Sequence, residues 1–348
     1  MRFAALGRTH LLYDAIEACV AAGHDCVAIA TAVPAPEYRR TEADFRDLAG
    51  RLGCAFLDGG GRLDGAAQDV LASARAEVAI SVNWPVLLPA GVLALFPFGV
   101  LNAHAGDLPR YRGNACPNWA ILQGESQIVV AVHAMADELD AGPVLLRRGF
   151  PLEERTYIGD VYAFLERAVP ELFVEALTVL AAGPVDWELQ PDDPGCALRC
   201  LSRRPEDGLI GWERPAVELA RLVRASAEPL AGAYASLEGR RITIWRAHAE
   251  AASGLLGVPG QVAAVRLSGE AVVLTGDGVL VIETVEAEPF EGDTDSTAAG
   301  RRPAGELIRS SRQRFDGPAA ALQRLEARVA ALEATARERE RAAHSPES

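Results

Sequence analysis

Asn102 and His104 are the two residues whose types and spacing most directly suggest chemistry. They follow an apolar pair and stand two positions apart, so in an extended segment their side chains would face one cavity. Histidine accepts a proton near neutral pH, and an uncharged amide donates an N–H to a developing oxyanion. A carboxylate would complete the group by stabilising a protonated imidazole. Spacing alone leaves Asp107, Asp137 and Asp140 open for that role.

The residues before this pair alternate between short apolar runs and stretches with helical spacing. Strands are predicted at residues 2–6, 25–31, 54–57, 78–82 and 100–102, and helices at 11–22, 41–52 and 64–75. Strands separated by helices predict an α/β fold with a doubly wound, mostly parallel sheet. Ligand sites in such sheets lie at the carboxyl ends of strands, which is where Asn102 and His104 are expected.

The pattern of strands and helices changes after about residue 127. An antiparallel pair is predicted at 128–134 and 144–150 around a turn at 140–142, followed by a helix at 157–180. We therefore predict a catalytic domain at 1–183, a Pro- and Gly-rich linker at 184–205 and a smaller β-barrel-like domain at 206–295. A helical tail is predicted at 304–342. Its apolar residues have the spacing of a coiled-coil seam; they are Leu322, Leu325, Val329 and Leu332. A solvated helix or disorder fits so short a seam equally well.

Composition excludes several classes of function. The 348 residues carry a formal net charge of -14, and all 34 basic residues are arginine, which excludes a Schiff-base lysine and a Walker-type phosphate lysine. The acidic balance argues against a nucleic-acid partner without excluding one. Six scattered cysteines favour reduced thiols and a cytoplasmic location, and Cys196 and Cys200 lack a second metal-binding pair. We expect no membrane span and no secretory leader.

Each candidate also has a structural interpretation. A lone histidine at a strand end is more often structural than catalytic, and His24, His133 and His248 are predicted to lack a polar partner of the kind that His104 has in Asn102. His10 differs because it follows the first predicted strand at the same edge of the sheet.

Four motifs in the first half resemble the formyltetrahydrofolate-dependent formyltransferases, namely Asn-Ala-His at 102–104, Leu-Pro-Arg-Tyr-Arg-Gly at 108–113, Pro-Asn-Trp at 117–119 and Asp-Ala-Gly at 140–142. The likeness covers roughly residues 1–180. Residues 206–212, 222–224 and 232–234 are similar to the C-terminal barrel domain of the tRNA and sugar enzymes of that family. The resemblance implies a Rossmann-like formyltransferase domain, with Asn102, His104 and Asp140 as catalytic residues. It also implies 10-formyltetrahydrofolate as the co-substrate and no metal.

The resemblance also implies two binding regions. The folate would lie along the loop before the motif strand and the loop that holds Asp140, at Trp84, Pro85, Val86, Leu87, Leu88, Ala136, Asp137 and Leu139. The amine substrate would lie near Arg8, Thr9, His10, Arg112, Gly113, Asn114 and Pro117. Trp84 and Leu88 fit core packing equally well. Many members have Arg-Ala-Pro after the Tyr-Arg-Gly turn where this chain has Asn-Ala-Cys-Pro at 114–117, so local substrate contacts are expected to differ.

We predict an N-formyltransferase that acts on a small amine, with a nucleotide-linked amino sugar as the first candidate. The acidic charge supports this acceptor, and the run at 7–10 lacks the Gly-Thr-Pro sequence usual in the tRNA enzymes. The run at 113–119 is similar to members that act on amino-sugar precursors of surface glycans. The alternatives are methionyl-tRNA, an N-hydroxyornithine-type amine, hydrolysis of the formyl folate, and a folate-binding module without catalysis. A homodimer is expected from the barrel-like domain and the tail.

Overall fold

The structure is a computed structural model that describes residues 1–348 apart from 36–37, 59, 61, 192, 289–299, 311, 318–328 and 331–348. The chain divides into two compact units, Met1–Arg203 and Arg204–Ser348. The predicted coiled-coil seam, apart from Val329, lies outside the described residues. No described helix is long and apolar enough to cross a membrane.

The first unit is an α/β fold around a seven-stranded sheet, as the sequence predicts. Its elements are β1 (Arg2–Gly7), α1 (His10–Ala21), β2 (Asp25–Thr31), α2 (Glu42–Leu52), β3 (Ala55–Asp58), α3 (Gly65–Ala74), β4 (Val78–Val82), α4 (Ala90–Leu93), β5 (Val100–His104), β6 (Arg112–Gly113), α5 (Cys116–Gln123), β7 (Gln127–Ala134), β8 (Val144–Pro151), α6 (Ile158–Ala182) and β9 (Arg199–Cys200). The strands of the sheet lie in the order β3-β2-β1-β4-β5-β7-β8. Strands β1 to β5 are parallel, β7 is antiparallel to β5, and β8 is antiparallel to β7.

Local sequence chemistry sets the bounds of these elements. The hydroxyl of Thr41 accepts the main-chain N–H of Asp44, and the Asp44 carboxylate accepts that of Thr41, so α2 begins with a capping box. It ends at Gly53, which has a left-handed φ of 66°. The central strands β1, β4 and β5 are apolar and mostly buried, as expected for a sheet covered on both faces.

Strand β5 lies where the parallel part of the sheet meets the antiparallel part. It pairs in parallel with β4 and antiparallel with β7. In that register Asn102 lies opposite His133, and His104 lies opposite Ala131. The turn between β7 and β8 carries Asp140, so two connected strands and one turn bring polar side chains to β5.

The segment that follows α6 packs on the first unit, although its composition predicts a linker beginning at residue 184. Glu188 and Val144 exchange two main-chain hydrogen bonds, and β9 pairs with β6. Prolines and glycines prevent a long helix or strand here but leave these short pairings possible. The boundary between the two units falls at residues 203 and 204.

The second unit is an antiparallel β-domain with one long helix among its described residues. Its elements are α7 (Ala216–Ser226), β10 (Ala233–Leu237), β11 (Arg240–Glu250), β12 (Val262–Val265), β13 (Ala271–Leu274), β14 (Val279–Ala287), β15 (Arg302–Pro303) and α8 (Ala304–Leu307). The strand order is β10-β11-β14-β13-β12, and β15 pairs with β14. Single bridges from Phe315 to Leu237 and from Arg314 to Gln261 link one segment to both edges of this sheet.

Candidate active site

His104 is buried at the end of β5, with 7% of its surface exposed. Its Nε2 lies 2.7 Å from the main-chain oxygen of Tyr111. A carbonyl oxygen only accepts hydrogen bonds, so Nε2 carries a proton and donates it. Nδ1 lies 3.6 Å from Oδ2 of Asp140. The nitrogen that faces the carboxylate is therefore Nδ1, and it is the one available for proton exchange.

Asp140 lies between two imidazoles. Its Oδ2 accepts the main-chain N–H of Gly113 at 2.9 Å and faces His104, while its Oδ1 lies 3.6 Å from Nε2 of His133. The residue has a left-handed φ of 53°, which the surrounding contacts must hold. Asp107, by contrast, pairs with Arg147 at 3.1 Å, and Asp137 is exposed. Of the three aspartates that spacing left open, Asp140 is the one that the structure places beside His104.

His133 is a member of this group that the sequence analysis missed. The expectation that it has no polar partner is wrong, because its Nε2 lies 3.2 Å from Nδ2 of Asn102. Its Nδ1 donates to the oxygen of Ala134 at 2.9 Å, which leaves Nε2 free to accept. Burial, assisted by the neighbouring His104, lowers the pKa of His133 to about 4. A neutral His133 thus fixes which way the Asn102 amide points.

The other two histidines have polar partners of a different kind from an asparagine amide. Nδ1 of His24 lies 3.2 Å from the amino terminus, and His248 contacts Glu283 and Glu250 in the second unit. Within the described residues, no group of three or more His, Cys, Asp and Glu side chains is arranged to hold a metal ion.

Gly106 allows the close approach that orients His104. A Cβ on Gly106 would lie 2.4 Å from the Tyr111 oxygen and 2.5 Å from Nε2 of His104. We expect Gly106→Ala to separate these two groups, lowering kcat at least about 10-fold and stability by about 1–3 kcal/mol. Steady-state kinetics and thermal melts will measure both effects. Gly50→Ala is the matched control, since its Cβ would meet no atom of the described residues within 4 Å. Equal effects in the two variants would contradict the role of Gly106.

The predicted folate residues divide by exposure. Leu88 is buried in the hydrophobic core that contains Val92 and Phe96, so its contacts are those of a core residue. Trp84 packs against the same cluster, and its buried Nε1 has no hydrogen-bond partner in the part of the chain that the structure describes. The rest lie at or near the surface: Pro85, Val86, Leu87 and Asp137 are exposed, and Ala136 and Leu139 are half-buried.

The predicted acceptor residues fall into two groups. Gly113 contacts Asp140 directly, and the neighbouring Arg112 donates two hydrogen bonds to Gln190. Arg8, Thr9 and His10 lie where β1 passes into α1. Among the described residues, no hydrogen bond or ion pair links them to Asn102, His104 or Asp140. Asn114 is exposed and Pro117 is buried.

Cys116 lies close to the site but lacks the environment of a nucleophile. Burial raises the pKa of its thiol above the usual range, and the thiol donates to the Tyr111 oxygen at 2.9 Å. A thiolate, which is the reactive form, is thus disfavoured. We expect Cys116→Ala to keep kcat within about 3-fold of wild type, because only a weak S–H donor is lost. Abolished turnover in a folded variant would contradict this interpretation.

Comparison with known proteins gives the same two-part division. Residues 1–177 match the family described as formyl transferase, and residues 203–291 match its C-terminal domain. Over 307 residues the chain is 31% identical to the methionyl-tRNA formyltransferase of Herpetosiphon aurantiacus, covering 87% of this chain and 95% of that enzyme. The enzyme of the same name from Stutzerimonas stutzeri is 30% identical over 90% of this chain and 96% of its own length.

Solved structures share the fold at lower identity. An N-formyltransferase from Helicobacter canadensis, in complex with folinic acid and dTDP-3-aminofucose, superposes with a TM-score of 0.60 at 13% identity, covering 80% of this chain and 97% of that one. HypX from Aquifex aeolicus, in complex with tetrahydrofolic acid, gives 0.56 at 19% identity, covering 89% of this chain and 47% of that one. At these identities the likeness concerns the fold alone.

Proposed function

The chain belongs to the formyl transferase family and uses formyltetrahydrofolate as co-substrate, and from that premise we propose that Asn102, His104 and Asp140 catalyse direct transfer of the formyl group to an amine. The observation that carries this proposal is the contact of His104 with Asp140 beside an amide donor on the same strand. Oxyanion stabilisation and a proton carrier are the two functions that acyl transfer to an amine requires.

In the proposed mechanism the neutral amine attacks the formyl carbon of 10-formyltetrahydrofolate. A bond forms between the amine nitrogen and that carbon, and the carbonyl oxygen becomes an oxyanion that Asn102 stabilises through an N–H. Nδ1 of His104 and the Asp140 carboxylate then carry the proton lost by the amine to the folate nitrogen, whose bond to the formyl carbon breaks. The distance of 3.6 Å between Nδ1 of His104 and Oδ2 of Asp140 is longer than a direct hydrogen bond. Proton transfer between them therefore requires a small movement of one side chain or a water molecule between the two groups.

Two features of the loop after β4 support a role in binding the folate. The buried N–H of Trp84 has no hydrogen-bond partner among the described residues, and Val86 and Leu87, two and three positions further along the loop, expose apolar side chains. A ligand site of this kind combines apolar lining with a few placed polar groups. We propose that this loop and the turn at 136–140 bind the co-substrate.

For the acceptor we propose a small amine, in particular a nucleotide-linked amino sugar. Residues 1–203 hold 16 arginines against 26 acidic residues, a formal charge of -10, whereas binding of a tRNA backbone needs clustered positive charge. Several arginines of this unit are also neutralised by acidic partners; these pairs are Arg39 with Glu166, Arg110 with Glu125, and Arg147 with Asp107 and Glu188. The Helicobacter canadensis structure shows that the fold can accept such a sugar in another protein.

Methionyl-tRNA is the second candidate acceptor, and sequence similarity supports it better than the amino sugar. The curated relatives named above act on methionyl-tRNA according to their names and are matched over nearly their whole length. The two candidates therefore rest on different observations, charge for the sugar and sequence similarity for the tRNA.

One experiment separates these acceptors. The full chain is incubated with 10-formyltetrahydrofolate and, in separate reactions, initiator methionyl-tRNA, a panel of nucleotide-linked amino sugars and an N-hydroxyornithine. Mass spectrometry reports formylated product, and a second assay reports formate. Formylation of a sugar without that of the tRNA supports our proposal. Efficient, salt-sensitive formylation of the tRNA would establish the second candidate, and formate release without any amine would indicate a hydrolase.

A further inference from the structure

The side chain of Gln190 contacts both loops that contribute to the candidate site. Its Nε2 donates to the main-chain oxygens of Asp140 at 2.8 Å and Gly142 at 2.7 Å. Its Oε1 accepts from Nε of Arg112 at 3.1 Å and from the same guanidinium through Nη2 at 2.6 Å. A carboxamide has two N–H donors and an oxygen with two lone pairs, so these four contacts use its full capacity.

The contacts of Gln190 close a ring of bonded residues that includes the side chain of Asp140. Gln190 holds the main chain of Asp140 on one side and Arg112 on the other. The next residue after Arg112 is Gly113, whose N–H binds Oδ2 of Asp140. The same carboxylate oxygen faces His104. The ring is therefore closed by hydrogen bonds and covalent bonds alone, and Gln190 joins the two loops in addition to the direct bond from Gly113 to Asp140.

The Asp140 turn needs such a restraint. Asp140 is in the left-handed region, which costs free energy for a residue with a Cβ. Gly142 lies so close to β7 that a Cβ there would meet the Ala134 oxygen at 1.8 Å, so the turn has little room to move on that side. A turn with a strained residue keeps one conformation only when its surroundings determine it.

We propose that Gln190 is a positioning residue, which holds the Asp140 carboxylate at its working distance from His104 by clamping the β7–β8 turn to the Arg112–Gly113 segment. This proposal rests on the catalytic role proposed for Asp140. Gln190 lies after α6, in the segment that composition predicts as a linker. Its side chain touches the main chain of Asp140 and not the carboxylate itself, so it acts through Asp140.

Two substitutions test the clamp. Gln190→Met keeps the length of the side chain and removes all four hydrogen bonds, and Gln190→Glu keeps the acceptor for Arg112 but removes both donors to the turn. We expect each variant to lower kcat about 10- to 100-fold, since small misplacement of a catalytic group has effects of that order. The KM for 10-formyltetrahydrofolate is expected to change less than kcat, because Gln190 bonds to the turn only at Asp140 and Gly142 and does not contact the loop after β4.

Gln68→Met is the matched control. That glutamine lies in the same unit and donates one hydrogen bond to a main-chain oxygen, that of Leu63, at 3.0 Å. The expected pattern is a loss of kcat confined to position 190 and larger than any fall in melting temperature explains, with wild-type kcat in Gln68→Met. Wild-type kcat in Gln190→Glu would overturn the proposal, because the two donors to the turn would then be dispensable. A loss of kcat that only follows the unfolded fraction would overturn it as well.

Asp140→Ala distinguishes failure of this inference from failure of the proposed function. An active Asp140→Ala variant would remove the catalytic role on which the clamp depends. An inactive Asp140→Ala variant together with fully active Gln190 variants would overturn the clamp alone. The double variant Asp140→Ala/Gln190→Met is expected to show no further loss of kcat beyond Asp140→Ala, since residues that act through one group are not additive.

Discussion

His104→Ala and Asp140→Ala are each expected to lower kcat by about 10²- to 10⁴-fold, which is the range of general acid–base catalysis. Nδ1 of His104 faces the acid at 3.6 Å, while its Nε2 is already engaged by the Tyr111 oxygen. His133 lies at the same distance from Asp140, but burial lowers its pKa to about 4, so it is the weaker proton acceptor. Removing either partner leaves no group that can take the amine proton through Nδ1. Single-turnover kinetics with 10-formyltetrahydrofolate and the acceptor identified by the screen will measure the loss at the chemical step.

The two substitutions are also expected to be strongly non-additive. If His104 and Asp140 act as one unit, the double variant falls to about the same kcat as the worse single variant. His24→Ala is the matched control, because His24 lies just before β2, at the amino-terminal edge of the parallel strands, and bonds to the amino terminus. Circular dichroism checks that all variants fold. Wild-type turnover in either single variant would remove the role assigned to that residue.

Much of the fold follows from patterns that are local in sequence. The first five strands of the parallel sheet are separated by helices, and their apolar runs make the order of elements readable. The same patterns place Asn102 and His104 at the end of a buried strand, where the structure also has them. In the structure β5 extends to His104, two residues beyond the predicted end, so the strand itself fixes the spacing of the pair.

The contacts that were missed depend on pairing between distant segments. His133 belongs to β7, whose residues are buried on both faces, so no alternation of polar and apolar residues indicated which side chains face the site. Its partnership with Asn102 depends on the register of β5 against β7, which a single sequence does not reveal. Gln190 was missed for another reason: a Pro- and Gly-rich composition predicts irregular backbone, but it does not predict which loops that backbone will contact.

The choice among the three candidate aspartates depends on the fold and not on the sequence pattern. Spacing left three candidates, and only Asp140 lies beside both imidazoles in the structure. Asp107 is used by Arg147 on the neighbouring hairpin. The difference between these carboxylates is thus a matter of turn conformation, since the left-handed Asp140 directs its side chain into the site while its main chain is held by Gln190.

Asn102→Leu is expected to lower kcat by about 10²- to 10³-fold, as for removal of an oxyanion donor elsewhere. Leucine has nearly the same shape as asparagine but offers no N–H. The KM for the folate is expected to change much less than kcat, because the donor acts on the charge that develops in the transition state. Steady-state kinetics under saturating acceptor will separate the two parameters.

The orientation of the Asn102 amide group also predicts the relative activity of two variants at this position. Neutral His133 accepts one of the two N–H groups of Nδ2, so the other remains for the oxyanion, and a reversed amide would set Oδ1 against the lone pair of Nε2. Asn102→Asp has no N–H at all and adds negative charge where negative charge develops, so we expect it to be slower than Asn102→Leu. Equal or higher activity of the aspartate variant, at a pH where that carboxyl is ionised, would show that Asn102 does not face the oxyanion. The amide would then act only as a packing partner of His133, and the donor that acyl transfer requires would have to come from another group of the site.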